Sequence, residues 1–150
     1  MFVGQNIYKI DGKGRLPLPP RFRRELEEGV IVAPGLEKCL FAYPVPEFIR
    51  LAEELGKQAL SNRDMRLLQR AFIGSAVKLD LDGQGRVLLS QELRKYAGIN
   101  NNAMVIGLFK RIEVWDPDLW EKERTIAQEQ VGELLEREST IRHLEGRNTS

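Results

Sequence analysis

Histidine and cysteine are nearly absent from these 150 residues, which hold 1 of each. That scarcity removes the Ser-His-Asp and Cys-His sets used in nucleophilic catalysis, and no His or Cys cluster has metal-ligand spacing. No catalytic residue, metal site or cofactor is expected, and the chain is read as a non-enzyme. Cys39 has no partner for an internal disulfide and lies in the apolar stretch KCLFAY, so it is read as a small buried hydrophobe. His143 falls in the polar stretch HLEGRNTS, where solvent exposure is expected rather than ligation. Long hydrophobic runs are missing too. No stretch approaches the roughly 18 apolar residues of a membrane span. The start MFVGQNIYKIDGKGR lacks a basic region followed by an apolar stretch and cleavage site, so a cytoplasmic protein is expected. Net charge is only +1, which excludes a uniformly basic surface. Any nucleic-acid contact must come from locally clustered charge.

A hydrophobic content of 42%, with 30% charged residues and a mean hydropathy of −0.35, describes a chain able to bury one ordinary core or two very small ones. Glycine, by contrast, is placed with regularity. The segment IDGKGRLPLPPRFRREL at 10–26 overlies LDGQGRVLLSQELRKYA at 81–97, an offset of 71 positions. Asp11, Gly12, Gly14 and Arg15 match Asp82, Gly83, Gly85 and Arg86; Leu18 matches Leu89 and Arg23 matches Arg94. FVG at 2–4 echoes FIG at 72–74, Gly35 echoes Gly107, and YPVPEF at 43–48 echoes WDPDLW at 115–120. Units of about 45 residues seldom hold a core alone, so two are expected to pack together with a pseudo-twofold relation. The predicted organisation is a first unit over 5–48, a helical linker over 49–75, a second unit over 76–119, and a C-terminal helix with a polar tail over 120–150.

Within each unit, strand, turn and strand come first. NIYKI and RLPLP alternate around the glycines, placing Ile10, Leu16 and Leu18 on a buried face, with Leu81, Val87 and Leu89 in the second copy. Gly12, Gly14, Gly83 and Gly85 supply the positive φ angles of a three-residue hairpin loop. A short helix follows, entered through Pro19 and Pro20 and stopped by Gly29; in the second copy Ser90 is the N-cap and Gly98 the stop. A second hairpin is predicted from VIVAP and CLFAY around Gly35, and from AMVIG and RIEVW around Gly107. The linker reads as two helical stretches broken near Ser61 and Asn62. The last helix is unevenly amphipathic, which fits either a helix lying on its own domain or one packing against a neighbouring subunit.

Two readings of the repeated Asp and Arg stand side by side. As local structure, the carboxylate pairs with the guanidinium across the loop or caps backbone amides. As function, Asp orients an arginine while glycines let the loop approach a phosphate backbone. Charge separates the copies. Residues 9–24 carry Lys9, Lys13, Arg15, Arg21, Arg23 and Arg24 against Asp11 alone, whereas residues 78–95 carry Lys78, Arg86, Arg94 and Lys95 against Asp80, Asp82 and Glu92. The first loop is therefore the candidate DNA contact, with Lys13, Arg15, Arg21, Arg23 and Arg24 as its bases. Asp11, Gly12, Gly14, Asp82, Gly83, Gly85 and Arg86 are read as shaping residues. GKGR is no nucleotide phosphate loop, since the long glycine loop and a Ser or Thr after Lys are missing.

The opening MFVG, the segment DGKGRLPLPPRFR and the second DGQGR together resemble the MraZ family of bacterial transcription regulators, over residues 1 to about 140. The resemblance implies two AbrB-like (SpoVT-AbrB) units in an α+β fold, whose swapped hairpins interlock in one pseudo-twofold β-barrel core with linking helices and a C-terminal helix. It also implies ring-shaped homo-oligomers that bind repeated elements in double-stranded promoter DNA. The implied role is a nucleoid-associated repressor of the division and cell-wall gene cluster, including its own gene. Asp11 and Arg15, then Asp82 and Arg86, match the family's D-x-x-x-R motif. Gln84 stands where the first copy has Lys13, which favours a structural role for the second loop. The competing reading is an AbrB-type interaction module or antitoxin whose basic hairpin meets an acidic protein; the second complete unit speaks against it.

Overall fold

Proline and glycine divide the chain into short strands and helices, and a computed structural model describes residues 1–138. His143 and the polar tail lie outside the described residues. Strand β1 (Phe2–Lys9) runs into the DGKGR turn and leaves it as β2 (Arg15–Pro17). Helix α1 (Pro20–Arg23) starts on Pro20, whose missing N–H costs nothing at a first helical position, and tightens into a 3-10 turn, Arg24–Leu26. Strands β3 (Val30–Pro34) and β4 (Leu40–Pro44) form the next hairpin. Helices α2 (Val45–Gly56) and α3 (Arg63–Phe72) link the repeats, and the Asn62 side chain caps α3 by accepting from the Met65 N–H at 3.2 Å. The second repeat gives β5 (Val77–Leu79), β6 (Arg86–Leu88), α4 (Gln91–Ala97), β7 (Asn102–Phe109) and β8 (Arg111–Trp115). Ser90 caps α4 through the Leu93 N–H and Gly98 closes it, as the sequence predicts.

Six strands form one antiparallel sheet in the order β1-β7-β8-β4-β3-β5, and β2 pairs with β6 in a separate two-stranded ladder. Exchanging each strand for its counterpart in the other repeat leaves this order unchanged. The register follows the same exchange: Tyr8↔Ala103 corresponds to Leu79↔Val30, and Ile7↔Met104 to Lys78↔Ile31. One hydrophobic cluster draws on both repeats, with Phe2, Leu16, Leu18, Phe22, Leu26 and Val32 beside Val87, Leu89, Leu93, Val105 and Val114. Phe22 anchors it, edge-on to Phe2 with ring centroids 5.0 Å apart. Ile10, Leu16, Leu18, Val87 and Leu89 are buried as predicted, and Leu81 is partly so.

Four local expectations are corrected. Of the four turn glycines only Gly14 and Gly85 take positive φ; Gly12 and Gly83 do not, because the Asp side chain before each accepts the turn's backbone N–H groups and leaves only the last turn position left-handed. The first glycine turn does not close a hairpin ladder, because β1 pairs with β7 and β2 with β6, so each strand takes its partner from the other repeat. Gly107 is not a turn residue. It lies within β7 opposite Gly4, where an added Cβ would strike the backbone of Phe2 and Val3, and the turn falls at Phe109 and Lys110. Nor does FIG repeat FVG structurally, since Phe2 is in β1 whereas Phe72 ends α3.

The chain divides into two compact units, Met1–Pro117 and the segment from Asp118. Among the described residues the latter consists almost wholly of helix α5, which begins one residue earlier (Pro117–Arg137) and has no buried residue. Among the described residues no helix is long and apolar enough to cross a membrane.

Candidate nucleic-acid interface

The DGKGR turn is organised by one carboxylate. Asp11 Oδ1 accepts the backbone N–H of Lys13 at 2.9 Å and of Arg15 at 3.0 Å, and Oδ2 accepts from Arg15 Nε at 2.5 Å. Gly14 N–H donates back to the Asp11 carbonyl at 3.0 Å. The second turn repeats the pattern: Asp82 Oδ1 accepts from the N–H groups of Gln84 and Arg86, both at 2.9 Å, and Oδ2 accepts from Arg86 Nε at 2.8 Å. The Arg15 backbone N–H, then the Arg15 side chain and the Lys13 N–H, hold the Asp11 carboxyl down at about 2. The corresponding bonds from Arg86 and Gln84 lower Asp82 in the same way. Both carboxylates are thus ionised at neutral pH.

Pairing of β2 with β6 brings the two turns together, opposing Arg15 to Leu88 and Pro17 to Arg86. The Leu18 N–H donates to the Gly85 carbonyl at 3.1 Å, and the Leu89 N–H to the Gly14 carbonyl at 2.9 Å. Arg86 Nη1 also approaches Asp11 Oδ2 at 3.7 Å, so Arg86 is tied to two carboxylates and Arg15 to one. The Arg15 side chain is 35% exposed and that of Arg86 22%. Arg15 is the freer of the pair.

The other predicted bases are scattered. Lys13 is exposed at the tip of the first loop. Arg23 donates Nε to the Leu18 carbonyl at 3.1 Å and lies where a Cβ on Gly85 would go, so it packs against the second loop. Arg21 bonds the Val3 carbonyl at 3.1 Å and Asn6 Oδ1 at 2.7 Å, covering β1 at the sheet edge, with its guanidinium 4.7 Å from the Phe22 ring centroid. Arg24 is exposed in the 3-10 turn. The structure therefore brings Lys13, Arg15 and Arg23 to the paired loops and leaves Arg21 elsewhere. It also adds a residue outside the predicted set of bases, Arg94. Arg94, the counterpart of Arg23, donates to the Leu89 carbonyl at 3.2 Å and lies against Gly14. The signal was the match of Arg23 with Arg94 in the repeat.

The model of a family described as "MraZ protein, putative antitoxin-like" matches residues 1–71 and again 72–139. The chain is 44% identical over 137 residues to the transcriptional regulator MraZ of Dehalococcoides mccartyi, covering 91% of this chain and 96% of the relative. The transcriptional regulators MraZ of Clostridium tetani (41% over 137 residues; 90% and 96% covered) and Finegoldia magna (41% over 122 residues; 81% and 85%) are similar. With both repeats matched and relatives this similar along nearly their whole length, the chain belongs to the MraZ family.

Proposed function

We propose that this chain is a sequence-specific DNA-binding transcription regulator whose paired D-x-x-x-R loops meet the phosphate backbone, Arg15 making the leading contact. The observation that carries this reading is the pairing of the two turns across β2 and β6, with Arg15 the less restrained guanidinium. The regulatory role of the relatives supports it. Lys13, Arg23 and Arg24 add positive charge, while Arg86 holds the paired loops in register. A single patch with about three or four phosphate contacts binds weakly at physiological salt, so several patches on a ring-shaped homo-oligomer would engage repeated promoter elements by effective concentration. The target follows the family: the division and cell-wall gene cluster, including the protein's own gene, repressed by a cytoplasmic, nucleoid-associated protein. In this reading the units over 5–48 and 76–119 interlock through swapped hairpins in a β-barrel core.

The family description "antitoxin-like" favours a second reading, in which the basic loop binds an acidic protein partner. A mobility-shift assay with DNA from upstream of the protein's own gene separates the two. Binding that weakens steeply with salt and is lost in Arg15→Ala supports DNA; no shift at any salt concentration supports the protein partner.

A further inference from the structure

Helices α3 and α5 carry opposite charge in matching rows. On α3, Arg63, Arg66 and Arg70 are spaced by three and four residues and fall on one side of the helix. On α5, Glu129, Glu133 and Glu136 are spaced by four and three and do the same. Reversing the direction of one helix makes the two spacings coincide. Each row spans about 10 Å along its axis. Arg63 and Arg70 are exposed, and among the described residues neither has a hydrogen-bond or ion-pair partner; the same holds for the three glutamates. Arg66 has one guanidinium N–H fixed on the Leu60 carbonyl at 2.6 Å, which orients its remaining donors.

Each row sets like charges side by side on its own helix, although Arg137 follows Glu133 by four residues on α5. Arg66 with Arg70, and Glu129 with Glu133, are like charges four residues apart, which repel on a helix surface. Arg63 sits at the positive N-terminal end of α3 and Glu136 at the negative C-terminal end of α5, both against the helix dipole. An antiparallel pairing sets each of these charges against one of opposite sign. It also gives the exposed apolar side chains flanking the rows, Leu67 on α3 and Ile126 on α5, a surface to cover.

We propose that α5 of one copy lies antiparallel on α3 of another, with Glu136, Glu133 and Glu129 opposite Arg63, Arg66 and Arg70. This rests on the self-association proposed above and names the surfaces that carry it. Because the two surfaces differ, the contact is head-to-tail, and repeating it closes a ring or extends a filament.

The test is a charge swap in the full chain, read by sedimentation velocity with circular dichroism to confirm folding. Arg63→Glu with Arg70→Glu, and separately Glu129→Arg with Glu136→Arg, each place like charges in contact and should weaken self-association at least about tenfold. An equal mixture of the two variants should regain assembly, since every α3 then meets an α5 of opposite sign, and the fourfold variant should assemble alone. Wild-type assembly by either double variant overturns the proposal. So does loss of assembly that neither mixing nor the fourfold variant restores. A wild-type protein that sediments as a single copy at all concentrations sinks the self-association reading itself, a result distinct from an oligomer indifferent to both swaps.

Discussion

Replacing Gly14 by alanine tests whether the two repeats are interlocked through their glycine turns. Gly14 has φ +90, and a Cβ there would lie 2.8 Å from the Leu89 carbonyl oxygen and 3.1 Å from the Arg94 guanidinium. The left-handed backbone costs a non-glycine residue about 1 to 2 kcal/mol. Displacing Leu89 also weakens its N–H bond to the Gly14 carbonyl, about 0.5 to 1.5 kcal/mol. Together Gly14→Ala should lose about 2 to 3 kcal/mol, lowering the unfolding midpoint by about 5 to 10 °C for a chain of this size. Gly12 is the internal control. It has no positive φ and nothing within 4 Å of an added Cβ, so Gly12→Ala should stay within about 0.5 kcal/mol of wild type. The second turn should repeat the contrast between Gly85→Ala, strained at φ +73 and pressed on Arg23, and Gly83→Ala, which meets nothing within 4 Å. Thermal and urea unfolding measure all four. Equal stability of Gly12→Ala and Gly14→Ala would refute the cross-repeat packing.

Three further outcomes follow from the same contacts. Asp11 and Asp82 have carboxyls held below their unfolded values, so their stabilisation is complete above about pH 4 and is lost as pH falls through the folded value, about 2 for Asp11. Acid titration of Asp11→Asn should therefore show a smaller stability loss between pH 4 and 2 than wild type. The Cys39 thiol is pushed up to about 12, by burial first and then by Glu113, so it should resist alkylation at pH 8 until the chain unfolds; labelling of the native protein at the rate of a free thiol would contradict this. Arg86→Ala should lower the unfolding midpoint more than Arg15→Ala does, because Arg86 is bound to both carboxylates; the reverse order would undo the assignment of roles.

The repeat was legible because the residues that build the paired turns are short-range and chemically narrow. Asp11 to Arg15 and Asp82 to Arg86 make the same hydrogen bonds at matched spacing. Ser90 and Gly98 were equally readable, since a cap depends on neighbours within four residues. What local pattern could not supply was the partner of each strand. Alternation marks which face of β1 is buried but says nothing about whether β2 or β7 lies beside it. Gly107 reads as a turn residue for a related reason: glycine serves turns and close backbone approach alike, and only the neighbouring β1 backbone distinguishes them. Counting charge along the chain likewise grouped Arg21 with Arg15, although its side chain turns to the edge of β1. The pairing of Arg86 with Asp11 is a contact across repeats that no spacing rule foretells.

The central claim is that Arg15 meets DNA while Arg86 maintains the site. Affinity for DNA from upstream of the protein's own gene, measured for wild type, Arg15→Ala and Arg86→Ala between about 50 and 200 mM salt, tests it most directly. Wild-type binding should fall linearly on a double-logarithmic salt plot, with a slope near −3 for each patch engaged. Arg15→Ala should abolish binding while remaining folded and assembled, and Arg86→Ala should retain affinity in whatever fraction stays assembled. Normal binding by Arg15→Ala, or loss of binding by a stable and assembled Arg86→Ala, would contradict the account.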